Sequence, residues 1–142
     1  MQNLNEKIAL KELVDTFSIL ADELKISEQM RLFTPKASVT TYIGGELFAK
    51  ACGRAEIEKV FSNFLSNFSK AYHLNGQFVV SVSGESATAR HYCQVTLLGK
   101  DGKLMVYGVR YLDEYVKSSQ GWQIASRVAE FMISDERQAF NP

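Results

Sequence analysis

The second half of this chain of 142 residues, from near residue 70, changes its hydrophobic period, and that change constrains the fold more than any other feature. Before it, two stretches with apolar residues every three or four positions frame a short strand pair; after it, four long segments rich in β-branched and aromatic residues are separated by short polar turns. Leu10, Leu13, Val14, Phe17, Leu20 or Ala21, and Leu24 mark a first helix from about Glu6 to Leu24. Ser27 reads as the N-cap of a short second helix with Met30 and Phe33 inward, stopped by Pro35. Ala37 to Tyr42 reads as a strand, Gly44-Gly45 as a turn, and Leu47, Ala49 and Ala51 as the inward side of a second strand. Gly53 breaks the pattern, and Ile57, Val60, Phe61, Phe64, Leu65 and Phe68 give a third helix from Arg54 to Phe68.

Tyr72 to Ser83, Ser86 to Leu98, Lys103 to Lys117 and Trp122 to Ser134 are the four long strands. Short turns between them imply an antiparallel meander, and strands longer than the usual 5 or 6 residues or so accumulate twist. Helices first and strands afterwards predict an α+β layer: about three amino-terminal helices on a strongly curved sheet of about six strands, with a hollow between. Residues 1–142 are expected to form one domain, with 135–142 a loosely attached tail.

Composition narrows the partners. Sixteen Lys plus Arg balance sixteen Asp plus Glu, which leaves no excess positive charge for nucleic acid. No apolar stretch approaches the roughly 20 residues that span a bilayer, and the start lacks a signal-peptide hydrophobic region, so no membrane and a cytoplasmic location are the default expectation. Cys52 and Cys93 are far apart and form no C-x-x-C pair, which favours two buried or half-buried free thiols over a metal site. P-loop, dinucleotide-fingerprint, nucleophile-elbow and zinc-helix motifs do not occur, and no cofactor is expected.

Several strings in order carry a family resemblance over about Ile8 to Phe131. They are Leu32-Phe33-Thr34-Pro35-Lys36-Ala37, Gly53-Arg54-Ala55-Glu56-Ile57, His73-Leu74-Asn75-Gly76, and Gly121-Trp122-Gln123-Ile124 with Arg127. Together they resemble the SnoaL-like branch of the nuclear transport factor 2-like (NTF2-like, cystatin-like) superfamily, close to scytalone dehydratase. The resemblance implies a cone with a pocket between helices and concave sheet, and a scaffold that serves dehydratases, isomerases, polyketide cyclases and proteins without known chemistry.

By that resemblance His73 matches a pocket histidine and Asp22 an acidic position directed at the pocket, so the two could act as a base and its orienter. Periodicity alone puts Asp22 off the apolar stripe and toward solvent, and a histidine at a strand start is often structural. His91 shares a strand face with Ala89, Cys93, Val95 and Leu97, as a pocket wall or as a hydrogen-bonded core histidine. Phe17, Tyr42, Phe61, Tyr107 and Tyr111 are the remaining candidate pocket residues; Tyr107, Tyr111 and Tyr115 share one face. The isomerases' base aspartate is replaced by Thr40-Thr41-Tyr42, and Lys25 stands where relatives carry a second aspartate three residues after the first. The expectation is a protein that binds a small apolar or aromatic molecule, with cofactor-free dehydratase, isomerase or cyclase activity. The rival is a non-catalytic binding or assembly module. Arg90, Tyr92, Gln94 and Thr96 make an outer face suited to a homodimer, as in the family.

Overall fold

The computed structural model describes residues 3–139. Leu10, Leu13, Val14, Phe17 and Ala21 return to one side of α1 (Leu4–Asp22) and are buried there, as the spacing predicts. The helix stops two residues earlier than its apolar period. Leu24 adopts a left-handed conformation (φ 58°), Leu24 N–H donates to Ala21 O (3.0 Å) and Lys25 N–H to Leu20 O (2.9 Å), which closes a Schellman turn. At the other end Glu6 accepts from Lys117 Nζ (2.8 Å) and from the Trp122 indole, tying α1 to the sheet.

The second helix departs from the sequence reading. α2 (Ile26–Gln29) is four residues long and begins before Ser27, whose hydroxyl donates to Glu58 instead of capping it. A single 3-10 turn, Met30–Leu32, leads directly into β1 (Phe33–Ile43), so Pro35 lies inside a strand. The reason is steric: a proline pushes the preceding residue into extended backbone, so the helix has already ended. Pairing with β6 is irregular between Phe33 and Ser38, where a missing N–H costs no ladder bond.

β1 turns at Gly44 and Gly45, both at positive φ as a two-residue hairpin turn requires, into β2 (Glu46–Cys52). Cys52 is exposed, against expectation, because the alternation that buries Ala51 turns its neighbour outward. α3 (Arg54–Leu65) follows Gly53 (φ 84°), and Glu56 reaches back to accept from Cys52 N–H at 2.8 Å. It ends before Phe68, which instead opens β3 (Phe68–Ser83) while keeping its ring 5.3 Å from that of Phe64.

β4 (Ser86–Gly99), β5 (Lys103–Ser118) and β6 (Gly121–Gln138) complete the meander. The six strands lie in the order β2-β1-β6-β5-β4-β3, with β1 parallel to β6 and every other pair antiparallel. Register shifts at Asn75/Phe78, Gly108/Val109 and Glu114/Tyr115 bend the long strands, and the three helices pack against this mixed sheet. The expected tail is corrected in part: Asp135 to Gln138 continue β6 opposite Val106 to Lys103, and 140–142 lie outside the described residues. A two-residue hairpin at Ser119-Gln120 lets β5 and β6 pair along their whole length, which carries the strand past Ser134. No helix of the described residues is long and apolar enough to cross a membrane.

Candidate functional site

The core closes around an aromatic trio. Phe17 on α1 meets Phe33 (ring centroids 5.5 Å) and Phe61 on α3 (6.2 Å) edge-on, and beyond them an apolar hollow of about 110 Å³ remains between helices and sheet. Every neighbouring element contributes to its wall: Ala21, Val39, Phe64, Val95, Leu97 and Phe131 supply much of the apolar surface. Its polar wall residues are Gln29, Thr41, His73, Tyr107, Tyr111 and Arg127.

His73 reaches this wall from β3, and behind it stands Asp22. Nδ1 of His73 lies 2.7 Å from Asp22 Oδ1, and the His73 backbone N–H donates to Asp22 Oδ2 at 3.2 Å. With Nδ1–H committed to the carboxylate, Nε2 is left as the basic nitrogen. Asp22 is not turned to solvent, because α1 lies on β3 along a polar flank beside its apolar stripe. On that flank Asn75 donates to Asp15 (3.0 Å) and to Val14 O (3.3 Å), Ser18 donates to Asn75 (3.3 Å), and Asp22 continues the row. The helix pays for this with two half-buried acids, each given a partner.

Of the other candidates, Phe17, Phe61, Tyr107 and Tyr111 line the hollow, and two do not. Tyr42 alternates with Val39, Thr41 and Ile43, which face inward, so strand geometry puts it on the other side of β1. His91 lies beneath the wall: its ring is stacked 4.8 Å from that of Tyr111, and its Nε2 is 2.8 Å from Asp113 Oδ2. It is the hydrogen-bonded core histidine of the two readings.

That contact belongs to a buried network. Asp113 accepts a two-pronged ion pair from Arg127 (Nε and Nη2, 2.9 Å each), a bond from Tyr115 Oη (2.7 Å) and the His91 bond. Burial alone would raise the Asp113 pKa, but the Arg127 charge and the donors around it hold the carboxyl well below the usual range. Burial lowers His91, despite Asp113, and raises Tyr111 and Tyr115 far above ordinary phenols. Arg127 also sits over the rings of Phe17 (4.4 Å) and Tyr111 (4.2 Å), so its guanidinium forms part of the wall.

Sequence reasoning gave no role to Asp113, Gln29 or Arg127. Asp113 was recoverable: it sits on one strand face with Val109, Tyr111 and Tyr115, and an acid on a buried face needs a cation. Arg127 was harder, because the irregularity opposite Glu114/Tyr115 breaks the alternation between Ile124 and Arg127. Among the described residues no three His, Cys, Asp or Glu side chains gather to hold a metal ion.

The SnoaL-like domain profile matches residues 2–128. An uncharacterized protein of Mycobacterium tuberculosis is 28% identical over 128 residues, covering 88% of this chain and 84% of that protein. A candidate scytalone dehydratase from Novosphingobium aromaticivorans superposes with a TM-score of 0.85 at 22% identity, over 99% of this chain and 94% of that one. A LinA-type hexachlorocyclohexane dehydrochlorinase from Novosphingobium barchaimii gives 0.84 at 14% identity, over 99% and 97%. These two structures share the fold, and the profile match across nearly the whole sequence shows that the chain belongs to the SnoaL-like domain family.

Proposed function

We propose that the hollow binds a small, largely apolar molecule and that His73, positioned by Asp22, removes a proton from it in a cofactor-free elimination or isomerisation. The observation that carries this reading is the 2.7 Å His73–Asp22 contact on the wall of an apolar hollow. A base facing an apolar space is poorly solvated, and a carboxylate behind it stabilises the imidazolium as it forms. In a dehydration, the C–H pair becomes the new C=C bond while the C–O bond breaks. The proton taken by Nε2 returns to the departing oxygen, which leaves as water.

Tyr107 and Tyr111 keep their protons, since burial raises both, and so remain hydroxyl donors toward a carbonyl or leaving group. The Arg127 guanidinium, paired with Asp113 behind it, forms part of the same wall. The dehydratase and dehydrochlorinase of the same fold are named for eliminations, which supports the reaction class. The test is turnover of small cyclic hydroxy-carbonyl compounds followed by NMR. His73→Ala should lose about 10²- to 10⁴-fold in rate, and an unchanged rate would remove His73 from the mechanism.

A second reading concerns assembly, and it stands whether or not the hollow is catalytic. Tyr72, Leu74, Val79, Tyr92, Leu112 and Ile133 are large, apolar and exposed, and all six belong to the three ladders of the meander. We infer a homodimer through this outer sheet face. Sedimentation should give twice the monomer mass at micromolar concentration; a monomer there would refute it.

A further inference from the structure

Gln29 is 1% exposed, yet its amide is only half used. Nε2 donates to the Phe17 carbonyl at 3.1 Å, whereas Oε1 has no partner although Gln29 lines the hollow. The orientation of the amide is fixed: turning it over would set its oxygen against the Phe17 carbonyl oxygen and lose the bond. A buried acceptor without a donor carries a desolvation cost that an occupant of the hollow can relieve.

The chemistry of that occupant follows from the wall. An ammonium donor would meet the Arg127 guanidinium, and an anion would bring only acceptors to Oε1. A neutral hydroxyl satisfies both constraints. Size follows from volume: about 110 Å³ is near the roughly 150 Å³ of cavities that admit benzene. The geometry points to Gln29 Oε1 as the anchoring acceptor for a neutral hydroxyl on a ligand about one six-membered ring in size. This deepens the reading above, because it rests on the hollow being a ligand site, but it does not require His73 to act as a base.

Phenol and toluene, similar in shape and different in the donor, test it by titration calorimetry. Wild type should bind phenol, and Gln29→Met, which fills the space without the acceptor, should lower the toluene-to-phenol Kd ratio about tenfold. His73→Ala should leave that ratio in place. An unchanged ratio in folded Gln29→Met, a ratio lost equally in His73→Ala, or no phenol binding by wild type would each overturn the assignment. If Gln29→Met does not fold, phenol must move the Gln29 side-chain carbonyl carbon-13 resonance of the wild type downfield of its position with toluene bound, and equal positions would overturn the assignment. Loss of turnover in His73→Ala is read separately, so the acceptor and the base can fail independently.

Discussion

Replacing Asp113 by alanine should be among the most damaging single changes in this protein. Asp113 is completely buried, and so is the Arg127 charge it neutralises. Removing one member of a buried ion pair strands the other, which costs about 3–5 kcal/mol. Tyr115 and His91 each lose an acceptor as well, worth about 1–3 kcal/mol where no water replaces it. These losses share one centre and do not simply add, so about 4–6 kcal/mol is expected. That is a large part of the total of about 5–15 kcal/mol for a domain of this size. Arg110 and Glu130 provide the internal control: the same charge types meet at 3.0 Å, with both side chains about half exposed (47% and 49%). Glu130→Ala should cost below about 1 kcal/mol. Urea unfolding of the two variants side by side gives the comparison. If Asp113→Ala is too unstable to purify, Asp113→Asn, which keeps an acceptor and loses the charge, should lie between them. An Asp113→Ala variant within about 1 kcal/mol of Glu130→Ala would refute the view that buried charge pairing holds this wall.

Three further outcomes follow from the same structure. Burial holds His91 below its ordinary pKa, so the unfolded chain takes up that proton at higher pH than the folded one. The stability this contributes is complete above about pH 6.5 and falls as the solution becomes more acid; His91→Phe should flatten the decline in Tm between pH 7 and 5. Leu24→Gly should raise stability by up to about 1 kcal/mol in urea titrations, because leucine there is held at φ 58° in the turn that ends α1. Cys93 is buried with its thiol pushed up to about 11, and Cys52 is exposed. Iodoacetamide at neutral pH should therefore add one mass increment to the native protein and two to the unfolded one.

Element types were legible because periodicity reports them directly: α1, α3 and the four long strands lie where the spacing of Leu10 to Ala21, Ile57 to Leu65 and the alternating meander put them. Ends were less legible, since they depend on tertiary partners. Phe68 continues the helical pattern of α3 but pairs with Gly99 as a strand, and Asp135 to Gln138 look like a polar tail but find β5. Within the site, the pocket walls Phe17, Phe61, Tyr107 and Tyr111 were readable as inward residues. Of the polar groups, His73 and Asp22 were reached only through the family resemblance and Gln29 and Arg127 not at all, because each is positioned by another element: Asp22 by the flank α1 lays on β3, Gln29 by the Phe17 carbonyl, and Arg127 by Asp113 across the sheet.

The proposed base requires Asp22 to hold His73 with Nε2 bare toward the hollow, and nitrogen-15 NMR of the histidine ring reads this directly. In alkaline buffer, at a pH of about 9 where imidazole is neutral, His73 should show a protonated Nδ1 and an unprotonated Nε2, and Asp22→Ala should scramble that preference. A proton found on Nε2 in the wild type, or a tautomer indifferent to Asp22→Ala, would remove Asp22 as the group that positions His73.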